Sequence, residues 1–400
     1  MLGVTGSIAA YKAADLASKL AQNGALVDVI LTENAEKFIT PLTFQTLTGR
    51  KAHTSLWEGD AHVVHVGLGE RADLLVIAPC TADTLAKLTH GLANNLLTVT
   101  ALASRCPVLL VPAMDGAMFQ NPATQANLET VRSRGVRIIG PVSGRMASGL
   151  LGPGRMLEPA EILGHIRLVL GENGPLRGQH ILISAGGTQE ALDPVRYLTN
   201  RSTGKQGFAL AQAALDLGAK VSLVAGATAA ILPTPAGAAR FDAESADQMA
   251  EVVLQLAGEA DALVMAAAVA DFRAKAPSPH KIKKVETPPA IEIERTPDIL
   301  SLVSEQRAQT GKPRVVVGFA AESQNLLENA RDKLKRKRLS MVAVNDISAK
   351  DAGFAVDTNR LSLVTPEGVE QLPLMSKAEA AAAVMQRVTE MLRDPGPVTN

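Results

Sequence analysis

Between residues 184 and 207 the chain reads SAGGTQEALDPVRYLTNRSTGKQG, its densest run of groups able to do chemistry. Gly186-Gly187 follows the apolar, β-branched run 180–184 (HILIS), so the pair turns a buried strand and brings bare backbone N–H groups close to a ligand. Asn200, Arg201, Ser202, Thr203 and Lys205 then place amide, guanidinium, hydroxyl and ammonium donors in one short segment ahead of a helix. Such a set of donors receives something anionic. A merely solvated loop would require neither the glycine doublet nor this density of donors.

A second constellation lies nearer the start. Gly6-Ser7 turns a clipped strand into a helix, a setting that suits a phosphate on the helix N-terminus. Residues 78–84 (APCTADT) add hydroxyls and backbone donors at the carboxyl end of another strand, where ligands of open sheets bind. His65 precedes that strand; alone, a histidine is as readily structural as catalytic. The stretch 140–156 carries five glycines and two prolines without periodicity and reads as a mobile flap over a site. The basic run 333–338 puts Lys333 and Lys337 on one helical face at i, i+4. No aromatic residues interleave it, which argues against nucleic acid.

These groups need a scaffold, and the apolar runs supply one. Strands at 2–5, 27–31, 74–78, 108–111 and 136–139 alternate with helical segments, and the alternation resumes after residue 180. That pattern predicts an α/β fold of two doubly wound, Rossmann-like domains with parallel sheets, the N-terminal one flavodoxin-like. The expected boundaries are 1–171, a linker at 172–178, a second domain at 179–393 and a tail at 394–400. A hairpin is expected at 361–374, turning at 366–368. The glycine turn comes so soon after Met1 that a few upstream residues are expected to be missing.

The composition has 46% hydrophobic and 20% charged residues over 400 positions, ordinary for a globular protein of two or three domains. A formal net charge of zero gives no bulk attraction to nucleic acid or membranes. Two cysteines exclude a disulfide framework, and a cytoplasmic location is expected. Neither glycine turn is a GxGxxG followed by an acidic residue at the right distance, which removes a nicotinamide-dependent dehydrogenase.

The motifs GVTGSIAAYK, VHVGL, APCTADTLAKL, PAMDGAMF and GPGRM resemble flavin-dependent decarboxylases that act on cysteine-derived thiols. The 184–207 stretch, AAAVADFR, KIKK and GFAAE resemble the ligase that joins phosphopantothenate to cysteine. In this order they are similar to the bacterial bifunctional phosphopantothenoylcysteine decarboxylase/phosphopantothenate–cysteine ligases of coenzyme A biosynthesis. The resemblance implies FMN held by Gly6, Ser7, Thr32, Ala78, Thr81 and Ala82, with His65 as the base in oxidation of the substrate thiol. It implies CTP and Mg²⁺ in the second half, acting through an acyl-cytidylate that the cysteine amine attacks. Asn200 would hold that intermediate and Lys281 would close over it. Met265, Ala266, Ala267, Asp271, Pro297, Asp298, Ile299, Leu300, Phe319, Lys333 and Lys337 would line the nucleotide site together with Lys281. The implied assembly is a homo-oligomer acting on small molecules: 4′-phosphopantothenate, cysteine and CTP.

Two positions depart from the family pattern. Asp115 stands where the family has an Asn that grips the substrate carboxylate, and Ser148 where it has a proton-donating Cys. An ionised Asp has no donor. Two carboxylates about 4 Å apart repel by roughly 4 kcal/mol at an effective dielectric near 20, about a thousandfold in binding. A hydroxyl is a far weaker acid than a thiol of pKa about 8.5. The decarboxylase half is therefore expected to be slowed, arrested at the enethiol, or inactive. The alternative is a ligase whose flavin domain serves only as an oligomerisation scaffold.

Overall fold

The computed structural model describes residues 1–57, 64–147, 149–283, 290–322, 324–346 and 356–393. The chain divides into two compact units, Met1–Leu170 and Gly171–Asn400. In the first, six parallel strands lie side by side in the order Ala52–His53, Val29–Leu31, Leu2–Val4, Leu75–Cys80, Val108–Pro112, Arg137–Ile138. Numbered along the chain this is 3-2-1-4-5-6. Continuous apolar strands follow from two covered faces. Val76 and Ala78 point into one core cluster, with Leu16 and Leu20, while Leu75 and Ile77 point into the other, with Leu85 and Leu97. Helix Ala10–Gln22 buries Ala13, Leu16, Ala17 and Leu20, one stripe at helical spacing.

The main sheet of the second unit has eight strands in the order Ala238–Ala243, Lys220–Gly226, His180–Ala185, Ala262–Met265, Val315–Glu322, Met341–Asp346, Leu361–Val364, Val369–Gln371. The first six repeat the order 3-2-1-4-5-6 in parallel, and the last two add an antiparallel hairpin at the edge. The α/β doubly wound expectation therefore holds in both units. The order is that of dinucleotide-binding sheets, and in the first unit it differs from the 2-1-3-4-5 order of flavodoxin itself. In each unit the chain reverses direction across the sheet between its strands 1 and 4, the crevice where such folds bind ligands.

Smaller two-stranded pairs flank these sheets, among them Thr358–Asn359 with Met375–Ser376. The glycine-rich 140–156 stretch forms an antiparallel hairpin, Val142–Arg145 with Leu151–Arg155. In the second unit Gln189–Ala191 pairs with Tyr197–Thr199, and Phe272–Ala274 with Ile293–Arg295. The expected tail at 394–400 lies outside the described residues. Among the described residues, no helix is long and apolar enough to cross a membrane.

Candidate functional sites

In the first unit the carboxyl ends of the strands enclose a cavity of about 390 Å³. Five of the six residues expected to hold a cofactor line it: Gly6, Ser7, Thr32, Thr81 and Ala82. Ala78 does not; it is fully buried in the sheet. The two sides of the crevice are locked by one hydroxyl. Thr5 Oγ1 donates to the Pro79 carbonyl at 2.7 Å and accepts the Thr81 N–H at 3.1 Å. Gly6 is required by contact, since a Cβ there would sit 2.5 Å from Asn34 Cβ. The sequence reading missed Asn34, Asn95, Ala113, Met114 and Met118, which also line the cavity. Asn95 caps helix Leu96–Ala103, and that capping role was the only local signal it carried. Hydroxyls and amides, the charged Glu33, Asp83 and Lys87, and two methionines line it together, which suits a ligand with both polar and apolar parts.

The hairpin 142–155 is seated on the same edge. Met114 N–H donates to the Gly154 carbonyl at 3.0 Å, and Gly154 has φ +149°. A Cβ at Gly154 would lie 2.2 Å from the Met114 carbonyl oxygen, so only glycine permits this approach. Between Met114 and the helix Gly116–Gln120, Asp115 is the N-cap, and its carboxylate accepts the Ala117 N–H at 3.1 Å. His65 lies half-buried at the start of helix Val64–Arg71 and does not line the cavity. Ser148 lies outside the described residues. Cys80 ends strand Leu75–Cys80; burial pushes its thiol up to about 12, which makes it inert.

In the second unit the Gly186–Gly187 turn is a junction. The Gly186 carbonyl accepts from Ala268 N–H at 2.8 Å, and Gly187 N–H donates to Thr228 Oγ1 at 2.6 Å. Thr188 Oγ1 accepts the Ala270 N–H at 3.0 Å, and buried Ser184 Oγ accepts the Ala267 N–H at 3.1 Å. Asn200 closes the set: its amide nitrogen donates to the carbonyls of Ala268 and Val269, both at 3.1 Å. The structure thus joins Asn200 to the segment containing Ala266 and Ala267. It also shows that both amide protons are committed to that turn, a use the sequence did not reveal. Helix Lys205–Asp216 packs directly on the central strand, because a Cβ at Gly207 would meet Ala185 Cβ at 2.4 Å.

Most of the remaining predicted nucleotide residues are spread over strand Val315–Glu322, the last turn and cap of helix Leu326–Arg336, and the start of helix Ile299–Thr310. Lys333 Nζ donates to the Phe319 carbonyl at 2.6 Å, and burial pushes its pKa below the usual ammonium range. Lys337 bonds Asp298 and donates to Ser301 Oγ at 2.7 Å. Burial opposes the Asp298 carboxylate, yet Lys337 and the Ser301 N–H outweigh it and hold its pKa below the usual range. Asp298 also caps helix Ile299–Thr310. The side chains of Met265, Ile299 and Leu300 belong to the core, so only their main chain can face a ligand. Asp271 is exposed, and its carbonyl accepts the Thr296 N–H at 3.1 Å, which brings it beside the 296–298 segment.

Lys281 is exposed, on a segment attached to the tip of the hairpin 189–199, whereas Asn200 follows that hairpin's base. Three paired residues separate tip from base, about 10 Å of strand at 3.4 Å per residue.

Residues 1–170 match the Flavoprotein family, and residues 176–392 match the family described as DNA/pantothenate metabolism flavoprotein C-terminal domain. The coenzyme A biosynthesis bifunctional protein CoaBC of Vibrio cholerae is 44% identical over 396 residues, 98% of each chain. The chain belongs to the CoaBC family. The CoaBC of Bacillus subtilis is 40% identical over 402 residues, 99% of this chain and 98% of its own. A solved C-terminal domain of a CoaBC protein aligns at 38% identity over 55% of this chain and 99% of that one, with a TM-score of 0.47. The Flavoprotein match is the unit with the 390 Å³ cavity. The C-terminal match is the unit with the Gly186–Gly187 junction.

Proposed function

We propose that the second unit ligates 4′-phosphopantothenate to cysteine with CTP and Mg²⁺, and that the first unit binds FMN and decarboxylates the product slowly. The observation that supports the ligase site is the convergence of 186–188, Asn200 and 266–270 on the crevice between strands 1 and 4. Lys333, Lys337 and Lys281 supply positive charge to a triphosphate and to the anionic acyl intermediate. Asn200 shapes the 268–269 turn; donation to an acyl oxygen requires that turn to release one of its amide protons. Among the described residues no group of three or more His, Cys, Asp or Glu could hold a metal, so Mg²⁺ is assigned to the nucleotide phosphates.

FMN fits the first cavity by chemistry. Gly6 and Ser7 form the phosphate end, Thr81 and Ala82 the facing helix start, and Met114 and Met118 an apolar wall. Bound FMN supplies a reversible two-electron oxidant. By the family pattern Asp115 stands where an Asn grips the substrate carboxylate. Here it caps a helix, accepting the Ala117 N–H, and does not line the cavity. A second carboxylate near the substrate's would slow this half.

The ligase assay is pyrophosphate release from phosphopantothenate, cysteine, Mg²⁺ and either CTP or ATP. Faster release with CTP is expected, and no release with either nucleotide ends the proposal. For the other half, flavin absorbance should co-purify, and Asp115→Asn combined with Ser148→Cys should accelerate decarboxylation. Rapid formation of 4′-phosphopantetheine by the unaltered chain would overturn the slow-decarboxylase reading.

A further inference from the structure

The segment that carries Lys281 is tied to the turn 192–196 on both sides of that lysine. Before it, Ser278 N–H donates to the Leu192 carbonyl at 2.9 Å. After it, Ile282 N–H donates to Asp193 Oδ2 at 3.2 Å, and the Ile282 carbonyl accepts from Arg196 Nη2 at 2.7 Å. Asp193 is central to this arrangement. Its side chain is 0% exposed, and its Oδ1 accepts the N–H groups of Val195 at 2.8 Å and Arg196 at 2.9 Å. Arg196 Nε stands 3.7 Å from Oδ2.

A buried carboxylate is costly unless every lone pair is engaged. Closing the turn alone would need only one oxygen, which a neutral Asn supplies as well. The second oxygen has a separate task, because it reaches 89 positions along the chain to the peptide next to Lys281.

We propose that Asp193 is a positioning residue for ligation: it latches the 278–282 main chain so that the Lys281 ammonium is held ready for the acyl intermediate. The proposal rests on the reading of Lys281 as a ligase residue. Asp193 touches no substrate and acts through the loop. Each tie runs to main-chain atoms, so the latch sets where the lysine's backbone sits and leaves its side chain free to move.

The informative variant is Asp193→Asn in the full chain. One amide oxygen keeps the turn closed, while the –NH₂ group faces a donor, whether toward Ile282 or toward Val195 and Arg196. Amide hydrogen exchange in residues 278–283 should then rise about ten- to hundredfold, the loss of one hydrogen bond to a charged group. Exchange in the core strand His180–Ala185 should not change. The ligation kcat should fall by a similar factor, with KM for the nucleotide within about twofold. In a cycle with Lys281→Ala, the double variant should be no slower than Lys281→Ala alone. Unchanged exchange at 278–283 overturns the latch, and a fully multiplicative double variant overturns the link to Lys281. If Lys281→Ala ligates at the unaltered rate, the assignment of Lys281 falls instead, and exchange at Ile282 alone decides the latch.

Discussion

Single residues carry the clearest tests. Asp115 is an N-cap, and Asn caps as well as Asp, so Asp115→Asn should keep the cap and lower the urea midpoint less than Asp115→Ala does. Asp115→Ala should lose about 1 kcal/mol in the same titration. That pair of variants separates the capping role, which both Asp and Asn fulfil, from the chemical role, which the family pattern gives to Asn. Asp193 makes a second prediction, in pH. Burial works against its charge, but the N–H groups of Val195, Ile282 and Arg196 and the Arg196 guanidinium outweigh it and lower its pKa. A depressed carboxylate stabilises the fold above its unfolded pKa of about 3.9, and that contribution is lost as pH falls through the lower folded value. Exchange at Ile282 should therefore stay protected through the mildly acidic range and open only below about pH 3.9. Opening near pH 6 would contradict this.

At the level of elements, two glycines mark where backbone packs on backbone. Gly207→Ala would drive a methyl into Ala185 and the Ser184 carbonyl beneath helix Lys205–Asp216. A loss of about 1–3 kcal/mol is expected in thermal unfolding, with ligation lost in step. Gly154→Ala should instead unseat the 142–155 hairpin from Met114, read as weaker flavin retention with the ligase unaffected. The long elements were legible in sequence because their apolar periodicity is strong: residues 74–78 and 180–184 read as buried strands, and the hairpin 361–371 was signalled by its Pro-Glu-Gly turn. Of the elements that were missed, the short and edge strands lack such signals. Ala238–Ala243 is an edge strand containing Arg240 and Asp242, which pair with each other, so no apolar alternation shows. Phe272–Ala274 and Ile293–Arg295 are three residues each and pair across a long separation, which no local pattern encodes. Helix Pro41–Thr48, with Pro at its start and Gly49 left-handed at its end, was signalled and overlooked. Site residues followed the same rule. Glycine turns and lysines showed in the sequence, whereas the bonds of Asn200 to Ala268 and Val269, and of Asp193 to Ile282, depend on contacts 68 to 89 positions apart.

At the scale of the whole chain, each unit has its own apolar clusters. Expressed separately, 1–170 and 171–393 should each unfold cooperatively, at temperatures matching two transitions of the intact chain by calorimetry. Fragments that fold only when mixed would contradict this. Both sheets share the 3-2-1-4-5-6 order, so both crevices open at the carboxyl edge. The turns at Gly6 and Gly186–Gly187 lie at that carboxyl edge, away from the opposite one. At that opposite edge lie the turn 23–25 and the helix end 308–311, both exposed to solvent and just ahead of strands Val29–Leu31 and Val315–Glu322. A dye, an affinity handle or a protease recognition sequence grafted at either place would monitor or tether one half while its catalysis proceeds undisturbed.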